Sequence, residues 1–143
     1  MANNVTVLYD NRWLKASNPN HSASEVMVTP LAYKLGLFLN NTGMPSGNPT
    51  GEVSSIGTGY QRMPVTFNDN MENAEEILFP QPTADWGTAT HYCIFAEVSA
   101  GAWEAWWYGQ LTNPITGLPQ PITIVNGGAR AWVQALKLKI DLV

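Results

Sequence analysis

Alternation of apolar and polar positions recurs along the chain and predicts strands from end to end. Val5, Val7 and Tyr9 share one face of an extended segment over 5–9, with Thr6 and Leu8 on the other. Residues 10–25 are polar, with Asn18, Pro19 and Asn20 as a loop signal, and 25–29 reads as a short strand stopped by Pro30. Tyr33, Leu35, Leu37 and Leu39 form the apolar side of the next strand, 33–39. Residues 62–67 restart an extended segment, in which Pro64 marks an edge or an irregular start. The polar and acidic stretch 68–76 offers Asn68, Asp69 and Asn70 as the start of a short helical turn over 71–76.

The clearest strand covers 91–97. A turn at Ser99, Ala100 and Gly101 returns it as a hairpin with 103–111. A further strand over 121–125 runs into Asn126-Gly127-Gly128, residues at which positive φ costs little. At the C-terminus, Leu136, Leu138, Ile140 and Leu142 face inward along an alternating strand over 135–142, leaving Lys137, Lys139 and Asp141 to water. The expectation is an all-β, single-domain β-sandwich, or a related barrel, of seven or eight strands without an internal repeat. Residues 1–30 form an extended N-terminal arm and 31–143 the sandwich domain. Residues 40–59 hold two prolines and five glycines and form a long Gly/Pro-rich loop. Arm and loop can each fold onto their own domain or reach over a neighbour.

Composition narrows the function classes. At 143 residues the chain is long enough to bury a core without a disulfide or metal. Charged residues make up 13%, about half the usual ~25%, while six Trp, five Tyr and four Phe supply broad, weakly polar contact area. Such a surface suits contact with other proteins, where aromatics are enriched and charges depleted. The formal net charge of −4, spread without long runs, excludes a phosphate-binding patch, so no nucleic-acid partner is expected. No stretch approaches the ~20 apolar residues of a membrane span, and Met1-Ala2-Asn3-Asn4 lacks the regions of a signal peptide. A soluble protein made in a cytoplasm, with no membrane partner, is expected. Three matches to the glycosylation acceptor pattern, at Asn4, Asn20 and Asn40, are then coincidental.

Candidate chemistry is sparse. Two histidines, His21 and His91, and the single Cys93 cannot assemble a zinc-ligand set by spacing. Cys93 lies in an apolar run and reads as a buried structural thiol. Asp85, His91 and Ser99 invite a catalytic triad but carry no nucleophile-elbow spacing. Asp85 instead serves as a turn acceptor for N–H groups around Trp86 and Gly87, with Thr88 adding a hydroxyl. The acids Asp69, Glu72, Glu75 and Glu76 lack the spacing of a calcium loop. No catalytic residue, metal or cofactor is expected, and the protein is not read as an enzyme.

The tryptophans are harder to place. On a regular strand Trp103 and Trp107 share one face, and Trp106 joins Tyr108 on the other. One face must be core. The other is left for a partner subunit or for stacking on sugars, and a partner is favoured because contiguous exposed aromatics are uncommon on monomers.

The run from Phe79 to Phe95, with Thr83-Ala84-Asp85-Trp86-Gly87-Thr88 as its most specific part, resembles the signature of a family of small tailed-phage virion proteins. These are labelled tail-fibre proteins, and relatives serve as cement or decoration proteins on the capsid. Tyr33 to Phe38, Gly59 to Phe67 and Tyr108 to Thr112 resemble further segments of that family, so that the likeness covers about 33–142. The chain departs from it in the extended 1–30 segment, in Ala96 after Phe95, where many relatives have Asp, and in the aromatic weight of 103–107.

The resemblance implies a non-enzymatic β-sandwich of the virion. The expected role is a capsid cement protein on the outer capsid surface, a homo-oligomer (dimer or trimer) bridging capsomers and bound to the major capsid protein. The expected capsid contacts are Val5, Leu8, Tyr9, Trp13, Leu14, Met44 and Ile56. Self-association falls to Trp103, Trp106, Trp107 and Trp132, and the structural turn to Asp85, Trp86, Gly87 and Thr88. The alternatives are a tail-associated fibre or baseplate component and a carbohydrate-binding module using the tryptophan face.

Overall fold

The two longest apolar runs pair with each other and organise the rest. In the computed structural model, which describes residues 4–17, 20, 28–113 and 115–138, β6 (His91–Ser99) and β7 (Ala102–Gln110) form the expected hairpin. Gly101 supplies the positive φ of 76° at the turn. β2 (Tyr33–Phe38) pairs with β6 and takes β3 (Met63–Val65) on its far side, while β1 (Asn4–Val5) lies along β7. This antiparallel sheet runs β1-β7-β6-β2-β3. Two short ribbons complete the strands, β4 (Ile77–Leu78) with β9 (Trp132–Val133) and β5 (Gly87–Ala89) with β8 (Ile122–Ile124).

The protein is therefore an all-β domain with a single helix among the described residues. Its main core lies between one sheet face (Leu35, Leu37, Tyr92, Ile94) and the ribbons with their flanking segments (Ile77, Phe79, Trp86, Ala89, Ile124). The second layer is two ribbons rather than one continuous sheet. The opposite face carries a smaller cluster, Phe38, Cys93, Phe95 and Ala105, capped by Met44 from the Gly/Pro-rich loop. With both faces covered, Tyr92–Ala96 is buried throughout and reads as a continuous apolar run.

The long loop folds back on its own sheet. Leu39 N–H donates to Gly51 O at 2.7 Å and Val53 N–H to Leu37 O at 3.0 Å. Gly43 turns the loop at φ +75°, where a Cβ would lie 2.0 Å from Asn48 O. Arg62 then closes it with a two-pronged pair to Glu52, both bonds 2.8 Å, its guanidinium 3.5 Å from the centre of the Phe95 ring. The Tyr60 hydroxyl donates to Glu52 at 2.8 Å and accepts Leu37 N–H at 2.9 Å. Burial, followed by the Glu52 charge, pushes the Tyr60 phenol well above its ordinary range, so it stays protonated and donating.

Three expectations are corrected. The strand over 5–9 ends at Val5, and Val7–Ala16 forms helix α1, so the part of the expected arm over 4–17 is not extended. Thr6 decides this. Its side-chain oxygen accepts Tyr9 N–H at 3.3 Å as an N-cap, and its hydroxyl donates to Ala105 O at 2.6 Å in a buried bond. Asp10 in the first turn and Lys15 in the last suit the helix dipole, and Tyr9 turns its ring onto Trp106 and Trp107. Of the strand expected over 25–29, residues 25–27 lie outside the described residues and 28–29 are not in a strand.

Second, no helical turn forms over 71–76. Asn68 Oδ1 accepts the N–H groups of Asn70 and Glu72, and Met71 sits at φ 58°. Third, the strand expected over 135–142 is absent in its described part, and 139–143 lies outside the described residues. Buried Asn73 holds the segment instead. Its amide donates to Glu75 O and Gln134 O and accepts Leu138 N–H, all within 2.8–2.9 Å. Leu136, at φ 65°, points to solvent rather than inward, while Leu138 is fully buried as expected.

α1 is clamped to β7 by Arg12, whose Nε and a terminal nitrogen donate to the two Glu104 oxygens at 2.8 and 2.9 Å. The hydrogen bond from Arg12 holds the Glu104 carboxyl below the usual glutamate range; burial opposes this, and the Trp106 indole N–H at 3.1 Å assists. Its stabilising contribution is full above the unfolded-state pKa of about 4.3 and is lost as pH falls through the lower native value. Urea unfolding across pH 2–6 should therefore show an acid decline in stability that Glu104→Gln makes shallower. Thr6→Ala should cost about 1–3 kcal/mol in the same assay, by loss of the cap and a buried hydrogen bond, with Thr6→Ser retaining most of it.

Candidate interaction surface

The tryptophans divide because β7 carries a bulge. Ile94 pairs with Trp107 but Phe95 with Ala105, leaving Trp106 as the extra residue. Parity flips there. Trp103, Ala105 and Tyr108 border the smaller cluster, whereas Trp106 and Trp107 both enter the main core, at 2% and 3% exposure. Their rings meet edge-to-face at 5.6 Å, with Tyr9, Tyr33 and Phe67 packed around them. The Trp107 indole N–H finds no acceptor among the described residues, a cost of about 1–3 kcal/mol borne within this packing. The expectation that 106 and 107 lie on opposite faces is corrected: neither offers a surface to a subunit or a sugar. Trp103 is half-buried under Lys34, whose Nζ lies 4.6 Å from the ring centre. Trp132 alone of the four is substantially exposed, at 49%.

The expected capsid-contact set also divides. Tyr9 and Met44 are buried in their own core and have no surface to give. Val5 pairs with Trp107 in the sheet, and Leu8 packs so closely over Gly47 that a Cβ there would lie 2.6 Å from its side chain. Trp13 and Leu14 are exposed on α1, and Ile56 projects from the loop at 88% exposure.

The turn residues are structural, with one change of partner. Asp85 Oδ1 accepts Asn126 N–H at 2.8 Å, so it ties down the turn after β8 rather than the backbone of its own turn. Trp86 is buried and donates its indole N–H to Thr58 O at 2.8 Å. Gly87 takes a φ of 90°, and the Thr88 hydroxyl meets that of Thr123 across the β5–β8 ribbon at 2.9 Å.

The triad residues are not brought together. Asp85 is engaged with Asn126, and His91 Nδ1 lies 2.8 Å from the Thr90 hydroxyl. Ser99 sits at the opposite end of β6, on the order of 25 Å along the strand. Burial lowers the pKa of His91, which disfavours its cationic form. Among the described residues no cluster of His, Cys, Asp or Glu could hold a metal ion, and no helix is long and apolar enough to cross a membrane.

Exposed apolar side chains gather on the ribbon layer. Leu78 and Trp132 face each other across the β4–β9 ribbon and turn outward, at 38% and 49% exposure. Beside them a groove of about 360 Å³ is lined by Leu111, Ile122, Trp132 and Val133 together with Thr112, Gln120, Gln134 and Lys137. A loop rising from its rim carries Ile115 and Leu118 at 93% and 64% exposure. Asn113 Oδ1 holds that loop by accepting the N–H groups of Ile115 and Thr116 at 2.8 and 3.1 Å. The groove went unread in the sequence because Leu111, Ile122 and Trp132 meet only through the tertiary fold.

Cys93 is fully buried, and burial pushes its thiol up to about 12, which disfavours the reactive thiolate. Native protein should give no reaction with a thiol reagent at pH 8 over hours, and one equivalent on unfolding in guanidinium. Fast labelling of the folded protein would contradict this burial.

Among known proteins, residues 13–130 match the family described as podophage GP4 fiber I protein gp80. No curated protein matches, and no solved structure matches. The match covers β2 to β8 with the Gly/Pro-rich loop, and agrees with the resemblance carried by the 79–95 run. The chain belongs to the podophage GP4 fiber I protein gp80 family and is a structural protein of the phage virion.

Proposed function

We propose that this protein is a fibre subunit of the virion, working by adhesion to neighbouring subunits and not by catalysis. The family match carries the reading, since the family's description names a fibre protein. The structure supports it in two respects. Within the N-terminal segment on which a capsid-bridging role depends, Val7–Ala16 is a helix docked on its own sheet, with Tyr9 buried and Arg12 paired to Glu104. Exposed apolar side chains lie on the ribbon layer, at Leu78 and Trp132 of the β4–β9 ribbon and at Leu136 just beyond it. Apolar area of this kind contributes roughly 25 cal/mol per Å² removed from water, so a repeated modest contact holds subunits together without chemistry. Burial of Trp106 and Trp107 removes the stacking platform of a glycan-binding module.

Gold-labelled antibody against the protein, viewed on intact particles by electron microscopy, should decorate appendages outside the head. Label spread over the head shell would overturn the fibre reading in favour of a capsid cement role.

A further inference from the structure

Within that reading, we propose that the groove between β8 and β9 receives an extended strand from a neighbouring virion subunit, added to the free edge of β9. β8 and β9 belong to different ribbons and are not bonded to each other, so the second layer is interrupted where the groove lies. Phe79 N–H donates to Ala131 O at 2.9 Å, and Ile77 pairs with Val133. Antiparallel pairs alternate between bonded and non-bonded, so Leu78 and Trp132 form a non-bonded pair, and the Trp132 N–H and C=O point away from β4. Neither group has a hydrogen-bond partner among the described residues. An unpaired edge beside an apolar trough is the arrangement that accepts an added strand: main-chain bonds give affinity and alternate side chains fill the floor.

Charge defines the occupant. Among the described residues Lys137 is the sole charged residue lining the groove, and its ammonium makes no ion pair with them. The incoming segment is therefore three or so residues with alternating apolar side chains and a carboxylate at the Lys137 end.

Hydrogen exchange of intact protein, free and assembled on particles, tests this together with two variants. On assembly the Trp132 amide should slow roughly a hundredfold or more. Lys137→Glu should lower incorporation about tenfold while Lys137→Arg preserves it, since a repelled carboxylate weakens the contact. Incorporation with an unprotected Trp132 amide, or indifference to Lys137→Glu, would overturn the strand-addition proposal and leave the fibre reading intact. Absence of the protein from purified particles would overturn the fibre reading itself. Protection of Trp132 in the isolated protein, rising with its concentration, would overturn the stated partner in favour of a second copy of this chain.

Discussion

A single extra residue in β7 governs how the aromatic side chains of this domain are used. With Trp106 inserted opposite the step from Ile94 to Phe95, both adjacent indoles turn toward one face. Regular alternation would send one of them to the other side. Two tryptophans on one face create a recess that Tyr9 fills from helix α1. Thr6 starts that helix, and Glu104, two residues before the bulge, receives Arg12 from its next turn. The N-terminal helix, the edge of the sheet and the main core are therefore one cooperative unit.

Because the bulge consumes much of the aromatic surplus internally, exposed apolar surface is left to other elements. The face opposite the main core is closed by Met44 and the Glu52–Arg62–Tyr60 network, with the guanidinium lying over Phe95. The ribbon layer combines exposed apolar side chains with incomplete strand pairing. Its strands are two or three residues long and separated by turns, so they do not merge into a second full sheet.

Much of the sheet was legible in the sequence because its signals are local. The 91–97 and 103–111 runs are long, apolar and aromatic-rich with a glycine turn between them, and Asn126-Gly127 forms the expected turn after β8. The phage resemblance was legible in the 79–95 run for a similar reason, being contiguous. What failed depended on distant partners. Five alternating residues at 5–9 fit a strand and a capped helix equally, and Ala105 O, far along the chain, settles the matter by accepting the Thr6 hydroxyl. The bulge leaves no period signal, so the facing of Trp107 was misassigned. Leu136 looked inward until Asn73, some sixty residues earlier, bent its segment. Met44 looked like a loop residue free to reach outward, yet it caps a cluster formed by β2, β6 and β7.

The central claim is that this domain adheres through its ribbon layer and keeps its helix for itself. Hydroxyl-radical footprinting of the protein in solution and within intact particles tests it directly. The account predicts that oxidation of Leu78 and Trp132 falls on assembly, while Trp13 and Leu14 on the helix stay as reactive as before. Protection confined to Trp13 and Leu14, with Leu78 and Trp132 unchanged, would contradict it.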